Sequence, residues 1–76
     1  MKVYYDNEID AVYIQLNTEK PEAVIEVREG INLDMLPDGR ISGIEILDAS
    51  KKMDLKTLLT YTIDEELVSL MMRQRA

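Results

Sequence analysis

In the segment Pro37-Asp38-Gly39-Arg40-Ile41-Ser42-Gly43-Ile44-Glu45-Ile46-Leu47-Asp48, a turn, a strand and the exit from that strand follow one another directly. Proline pre-sets φ, aspartate bonds to its own backbone and glycine takes the left-handed position, so Pro37-Asp38-Gly39 predicts a tight turn. Ile41 then stands at odd parity while Ile44 and Ile46 are even, and the change falls at Ser42-Gly43. Strand side chains alternate with a period of two, so placing all three isoleucines on one face requires an extra residue. A β-bulge at Ser42-Gly43 supplies it.

Upstream of this strand the same alternation recurs in shorter pieces. Ile31, Leu33 and Met35 alternate with Asn32 and Asp34, and Ala23, Ile25 and Val27 alternate within Glu22–Arg28. Glu29-Gly30 joins these two strands as a turn, with Gly30 at positive φ. Pro21, which has no N–H to give a ladder, precedes the strand after it. Val12, Ile14 and Leu16 alternate with Ala11, Tyr13 and Gln15, and Lys2–Asp6 completes a hairpin across the polar loop 6–10. Connections this short admit only antiparallel neighbours.

Downstream the period changes. Asp48 or Ser50 can cap a helical turn, and Asp54 a short helix bearing Leu55, Leu58 and Leu59. Thr62 and Glu65 have capping-box spacing, and Ile63, Leu67, Leu70 and Met71 then fall on one helix face. Acids Asp64, Glu65 and Glu66 open that helix and Arg73 and Arg75 close it, as the macrodipole favours. The expected architecture is α+β, a single domain over 1–76. A five-stranded antiparallel β-meander (1–47) carries C-terminal helical segments (48–76) packed on one face. Its expected core is Val12, Ile14, Leu16, Ile25, Val27, Ile31, Leu33, Met35, Ile44, Ile46, Leu58, Leu67 and Leu70.

Composition narrows the function classes. The 76 residues are 46% hydrophobic and 32% charged, with no cysteine and no histidine. That is globular composition, yet a chain this short buries only roughly 60% of its unfolded surface, so its core is thin. Without Cys or His there is no disulfide framework, thiolate nucleophile, imidazole base or His/Cys zinc site. No run approaches the ~20 apolar residues of a membrane span, and the start MKVYYDNEID has no apolar signal core, which sets a cytoplasmic expectation. Residues 1–38 hold three bases against nine acids, so they carry the whole net charge of −6. That field disfavours nucleic acid and anionic membranes and attracts basic proteins or divalent cations.

The candidate chemistry is sparse. Asp6, Glu8 and Asp10 cluster oxygens as a loose calcium or magnesium site would. However, Ala11 and Asn17 replace the glycine and glutamate of an EF-hand loop, and Asp6 serves equally to cap its own turn. Glu45 and Asp48 are the carboxylates nearest to an acid–base pair, but no base–nucleophile constellation accompanies them, so no enzyme and no cofactor is expected. Tyr4, Tyr5, Tyr13 and Tyr61 lie in acidic surroundings that suit packing better than nucleobase stacking. Glu22 and Glu26 on the acidic half, with Met71 and Met72 on the last helix, are candidate partner contacts, because charge steers association and methionine adapts to partners. The functional expectation is a non-enzymatic protein-interaction module whose partner is another protein or a second copy in a homodimer. A carboxylate-based metal or small-molecule domain is the alternative drawn from the residues.

Tyr5-Asp6-Asn7-Glu8-Ile9-Asp10-Ala11-Val12-Tyr13-Ile14, followed by Gly39-Arg40-Ile41-Ser42-Gly43-Ile44-Glu45-Ile46-Leu47-Asp48-Ala49-Ser50, resembles the small bacterial and archaeal family called domain of unknown function 2283. The resemblance covers roughly residues 1–53, including Glu29-Gly30-Ile31-Asn32-Leu33-Asp34. It implies a compact β-meander with a following helix, no established activity and no site residues. From gene neighbours of the toxin type, it also implies an antitoxin-like acidic partner of a small basic toxin as a further alternative.

Overall fold

The computed structural model describes residues 1–60 and 62–73. Tyr61 and Arg75, named above, lie outside the described residues. Five strands come first: β1 (Lys2–Asp6), β2 (Ala11–Gln15), β3 (Ala23–Arg28), β4 (Ile31–Met35) and β5 (Ile41–Ile46). Three helical pieces follow: α1 (Ala49–Lys52), the 3-10 turn η1 (Leu55–Leu59) and α2 (Glu65–Arg73). This is the expected α+β architecture. The sheet is antiparallel throughout and meander-like, in the order β1-β2-β5-β4-β3. Strands β3, β4 and β5 form one continuous meander, and the β1–β2 hairpin joins it through β2 beside β5.

The bulge lies where the isoleucine parity requires it. Asp34 pairs with Gly43 and Met35 with Ile41, which leaves Ser42 as the extra residue. Its freed carbonyl accepts from Leu16 N at 2.9 Å and Asn17 N at 3.1 Å, and its hydroxyl donates to Glu19 O at 3.0 Å. Ser42 is buried and fully engaged, so the bulge anchors the 16–22 connection that carries the chain from β2 to β3. A second bulge, between Glu26 and Arg28, twists the edge of β3 at Val27. Gly30 and Gly39 hold φ of 75° and 90°, the left-handed backbone expected of both turns.

Register divides the sheet into two faces. Val3, Tyr5, Val12, Ile14, Ile31, Leu33, Ile44 and Ile46 share one, since Val12 pairs with Ile46 and Leu33 with Ile44. Tyr4, Tyr13, Gln15, Asn32, Asp34 and Glu45 share the other.

The core is smaller than the alternation predicts. Val12, Leu36 and Ala49 are the buried apolar residues among those described, and Leu36 and Ala49 were absent from the sequence expectation. Leu16, Ile25, Val27, Leu67 and Leu70, all expected inside, are 44–49% exposed. The reason is coverage. Segment α1 is bonded to the β1–β2 loop and η1 lies beside β1, while every described residue of α2 is solvent-exposed, so among the described residues no segment roofs β3.

Two helix caps also differ from expectation. Asp64 rather than Thr62 caps α2: its Oδ1 accepts from Glu66 N at 2.8 Å and Leu67 N at 3.3 Å, and its carbonyl takes the first helical bond from Val68. An aspartate two residues further on is the stronger cap and sets the start there. Asp48 sits before α1 in a left-handed conformation and makes no side-chain cap bond. Asp54 caps η1 as expected, accepting from Lys56 N at 3.1 Å.

Candidate functional site

The cap that α1 lacks locally comes from forty residues upstream. Asp10, at the end of the β1–β2 loop, accepts from Ser50 N at 3.1 and 3.2 Å and from the Ser50 hydroxyl at 2.6 Å. Tyr5 OH donates to the same carboxylate at 2.9 Å, and the Asp10 carbonyl accepts from Ala49 N at 2.9 Å. The Ser50 hydroxyl first, and Tyr5 with the Ser50 amide after it, hold the Asp10 carboxyl below its usual value. The same bond pushes the Tyr5 phenol up.

Asp6 accepts from Glu8 N at 2.9 Å in a local turn. The three loop carboxylates therefore do not converge. Asp6 serves its turn, Asp10 serves α1, and Glu8 stands exposed. Among the described residues no group of three carboxylates is placed to hold a metal. Adding millimolar calcium or magnesium is expected to leave Tm unchanged. A rise of several degrees would show that the loop rearranges around a cation, since ligand binding stabilises by mass action.

The polar face carries one organised cluster. Tyr13 OH donates to Asp34 Oδ2 at 2.7 Å, and Asn32 Nδ2 donates to Glu45 Oε1 at 3.0 Å on the adjoining pair. Tyr4 lies beside Tyr13 with ring centroids 6.4 Å apart. Glu45 is thereby occupied as an acceptor on the sheet, while Asp48 lies beyond the strand end.

To reach Asp34 the Tyr13 ring crosses directly over Gly43. A β-carbon there would stand 2.1 Å from the phenol oxygen. Sequence reading missed this pairing, because it joins three strands through a register that alternation does not specify. The Asp34 carboxylate, with burial and the charge of Glu45 behind it, pushes the Tyr13 phenol up to about 12. Because the neutral phenol is the favoured form in the folded state, this contribution is complete below pH ~10 and is lost as pH rises toward 12. An ultraviolet titration should show a tyrosine step near 12 that Tyr13→Phe removes. A step that survives the substitution would contradict the assignment.

The apolar face is largely open. A groove of about 380 Å³ runs between β1 and η1, lined by Val3, Tyr5, Leu55, Lys56, Leu58 and Leu59. On the far side of the face Ile25 and Val27 are about half exposed, and β1 and β3 are both edge strands. Helix α2 presents Leu67, Leu70, Met71 and Met72 to solvent, with Met71 and Met72 each 59% exposed. Glu22 and Glu26 are exposed at β3, remote in sequence and in the sheet from the β1 groove. The four candidate partner residues thus fall on two separate regions. The groove itself went unrecognised because it needs β1 and η1 side by side, although Val3 and Tyr5 share the parity of the apolar face.

Among the described residues no helix is long and apolar enough to cross a membrane. A family model described as a protein of unknown function (DUF2283) matches residues 2–50. No curated protein matches the chain, and no solved structure does.

Proposed function

The chain belongs to the DUF2283 family of proteins of unknown function, and on that premise we propose that it is a non-enzymatic interaction module. It binds another protein chain through the apolar surface that its own fold leaves open. The observation carrying this reading is the concentration of large exposed apolar side chains on one sheet face and on α2: Val3, Tyr5, Ile25, Val27, Leu67, Leu70 and Met71. Scattered single apolar residues are ordinary on a protein surface, but the groups at the β1 edge and along the α2 stripe are each local patches of the kind that marks a contact. The small enclosed core adds a thermodynamic motive, since a thin domain gains stability from each apolar group a partner removes from water. The polar face supports the non-enzymatic half of the reading: its carboxylates are engaged by Tyr13 and Asn32 in bonds that hold strands together.

The test compares the full chain with a Leu67→Glu/Leu70→Glu variant, by sedimentation of the purified proteins and by co-purification from the native host. The reading predicts a complex, with itself or with another chain, that the variant loses while its sheet remains folded by circular dichroism. A chain that stays monomeric to millimolar concentration and co-purifies with nothing sensitive to the variant would contradict it.

A further inference from the structure

We propose that the groove between β1 and η1 is filled by helix α2 of a second copy, in a reciprocal exchange that makes a twofold dimer. This rests on the interaction reading and narrows it to one partner and one site. Helix α2 has nine residues, and an isolated helix shorter than ~12–15 residues is marginal in water, so its persistence requires that its apolar stripe be covered. Leu67, Leu70 and Met71, preceded by Ile63, form that stripe at the spacing of helix-in-groove anchors, and all are exposed. The groove offers Val3, Tyr5, Leu55, Leu58 and Leu59, an apolar wall with a single charged side chain, Lys56.

Charge fits the same docking. Lys56 has no ion-pair partner among the described residues, whose salt bridges are those of Arg40 with Asp38 and Glu19. Glu66, four residues before Leu70, flanks the stripe, so a helix laid with its stripe inward carries Glu66 to the groove's rim. The occupant is a second copy rather than the same chain because of the connection. Leu59 is itself a groove residue, so a return of α2 to its own groove demands a chain reversal within residues 60–64. Thr60-Tyr61-Thr62-Ile63 contains no glycine, proline or asparagine, and its β-branched and aromatic residues favour extended backbone. Thr60 is extended, with φ −139° and ψ 151°. A segment of that composition runs on from Thr60 more readily than it turns back. Each copy then presents one helix and one groove, the self-complementary arrangement that closes as a twofold dimer.

The experiment is sedimentation equilibrium of the full chain, with isotope-filtered NOE spectra on an equimolar mixture of labelled and unlabelled chain. The expected result is a dimer with intermolecular contacts from Leu67 and Met71 to Val3 and Leu58. Lys56→Glu should weaken the dimer several-fold, and adding Glu66→Lys should restore it. The same contacts found only within one chain would overturn the exchange, as would an unchanged dimer in Lys56→Glu. A dimer without these contacts would also overturn it while leaving the interaction reading intact. A monomer at every concentration overturns it too, and co-purification then decides the broader reading alone.

Discussion

Replacing Gly43 with valine is expected to destabilise the fold by about 3 kcal/mol, from overpacking plus a lost hydrogen bond to a charged acceptor. The backbone at Gly43 is ordinary, since the positive-φ glycines are Gly30 and Gly39, so the cost does not come from strain in the bulge. It comes from contact. A β-carbon would stand 2.1 Å from the Tyr13 phenol oxygen and 2.4 Å from Cζ. The ring must swing away, and the 2.7 Å bond to Asp34 is lost with it. For a domain of this size each kcal/mol moves Tm by about 4–8 °C, so the loss is large on a melting curve. The control is Tyr13→Ala, which removes the obstructing ring. In that background Gly43→Val should cost about 1 kcal/mol or less, because the two sites are coupled by contact. Equal costs in both backgrounds, measured as urea midpoints, would show that the backbone and not Tyr13 fixes this glycine.

The second large effect is expected at Asp10. Asp10→Ala removes the acceptor for the Ser50 amide, the Ser50 hydroxyl and Tyr5 at once, and detaches α1 from the hairpin loop. It also puts alanine at φ 51°, a region that aspartate and asparagine tolerate better. Tm should fall by several degrees, and by less for Asp10→Asn, which keeps one acceptor oxygen and the backbone tolerance. The effect carries a pH signature. Because the folded-state carboxyl is held below its usual value, its contribution is present above the ordinary aspartate range and is lost as pH falls through the folded value. The Tm difference between the native chain and Asp10→Asn should therefore close in acid. A difference independent of pH would show that the carboxylate's charge contributes nothing and would contradict the account.

These two residues also mark where sequence reasoning reaches and where it stops. Alternation and turn chemistry are local, and they yield the strands, the Gly30 and Gly39 turns and the bulge at Ser42, which follows from the parity of three isoleucines. The Asp10–Ser50 bond spans forty residues, and nothing in either neighbourhood identifies the other. Asp48 is the better local candidate for the cap, and it fails because the chain enters α1 through a left-handed residue. The Tyr13–Gly43–Asp34 stack depends on β5 lying between β2 and β4, which loop lengths leave open. The expected core missed Leu36 and Ala49, and its larger error was to place inside residues that are exposed. Periodicity shows that Ile25, Val27, Leu67 and Leu70 are apolar on one side, but whether anything covers that side is a property of the assembly.

Coverage of the α2 stripe by the β1–η1 groove of a second copy is the central claim, and hydrogen exchange of the α2 amides as a function of protein concentration tests it most directly. If α2 is held only in the groove of a second copy, its amides should be protected in the millimolar range and lose protection on dilution. The amides of β2 and β5, bonded within the chain's own sheet, should change far less. Amides of α2 that exchange freely at every concentration, or that stay equally protected on dilution, would contradict the account.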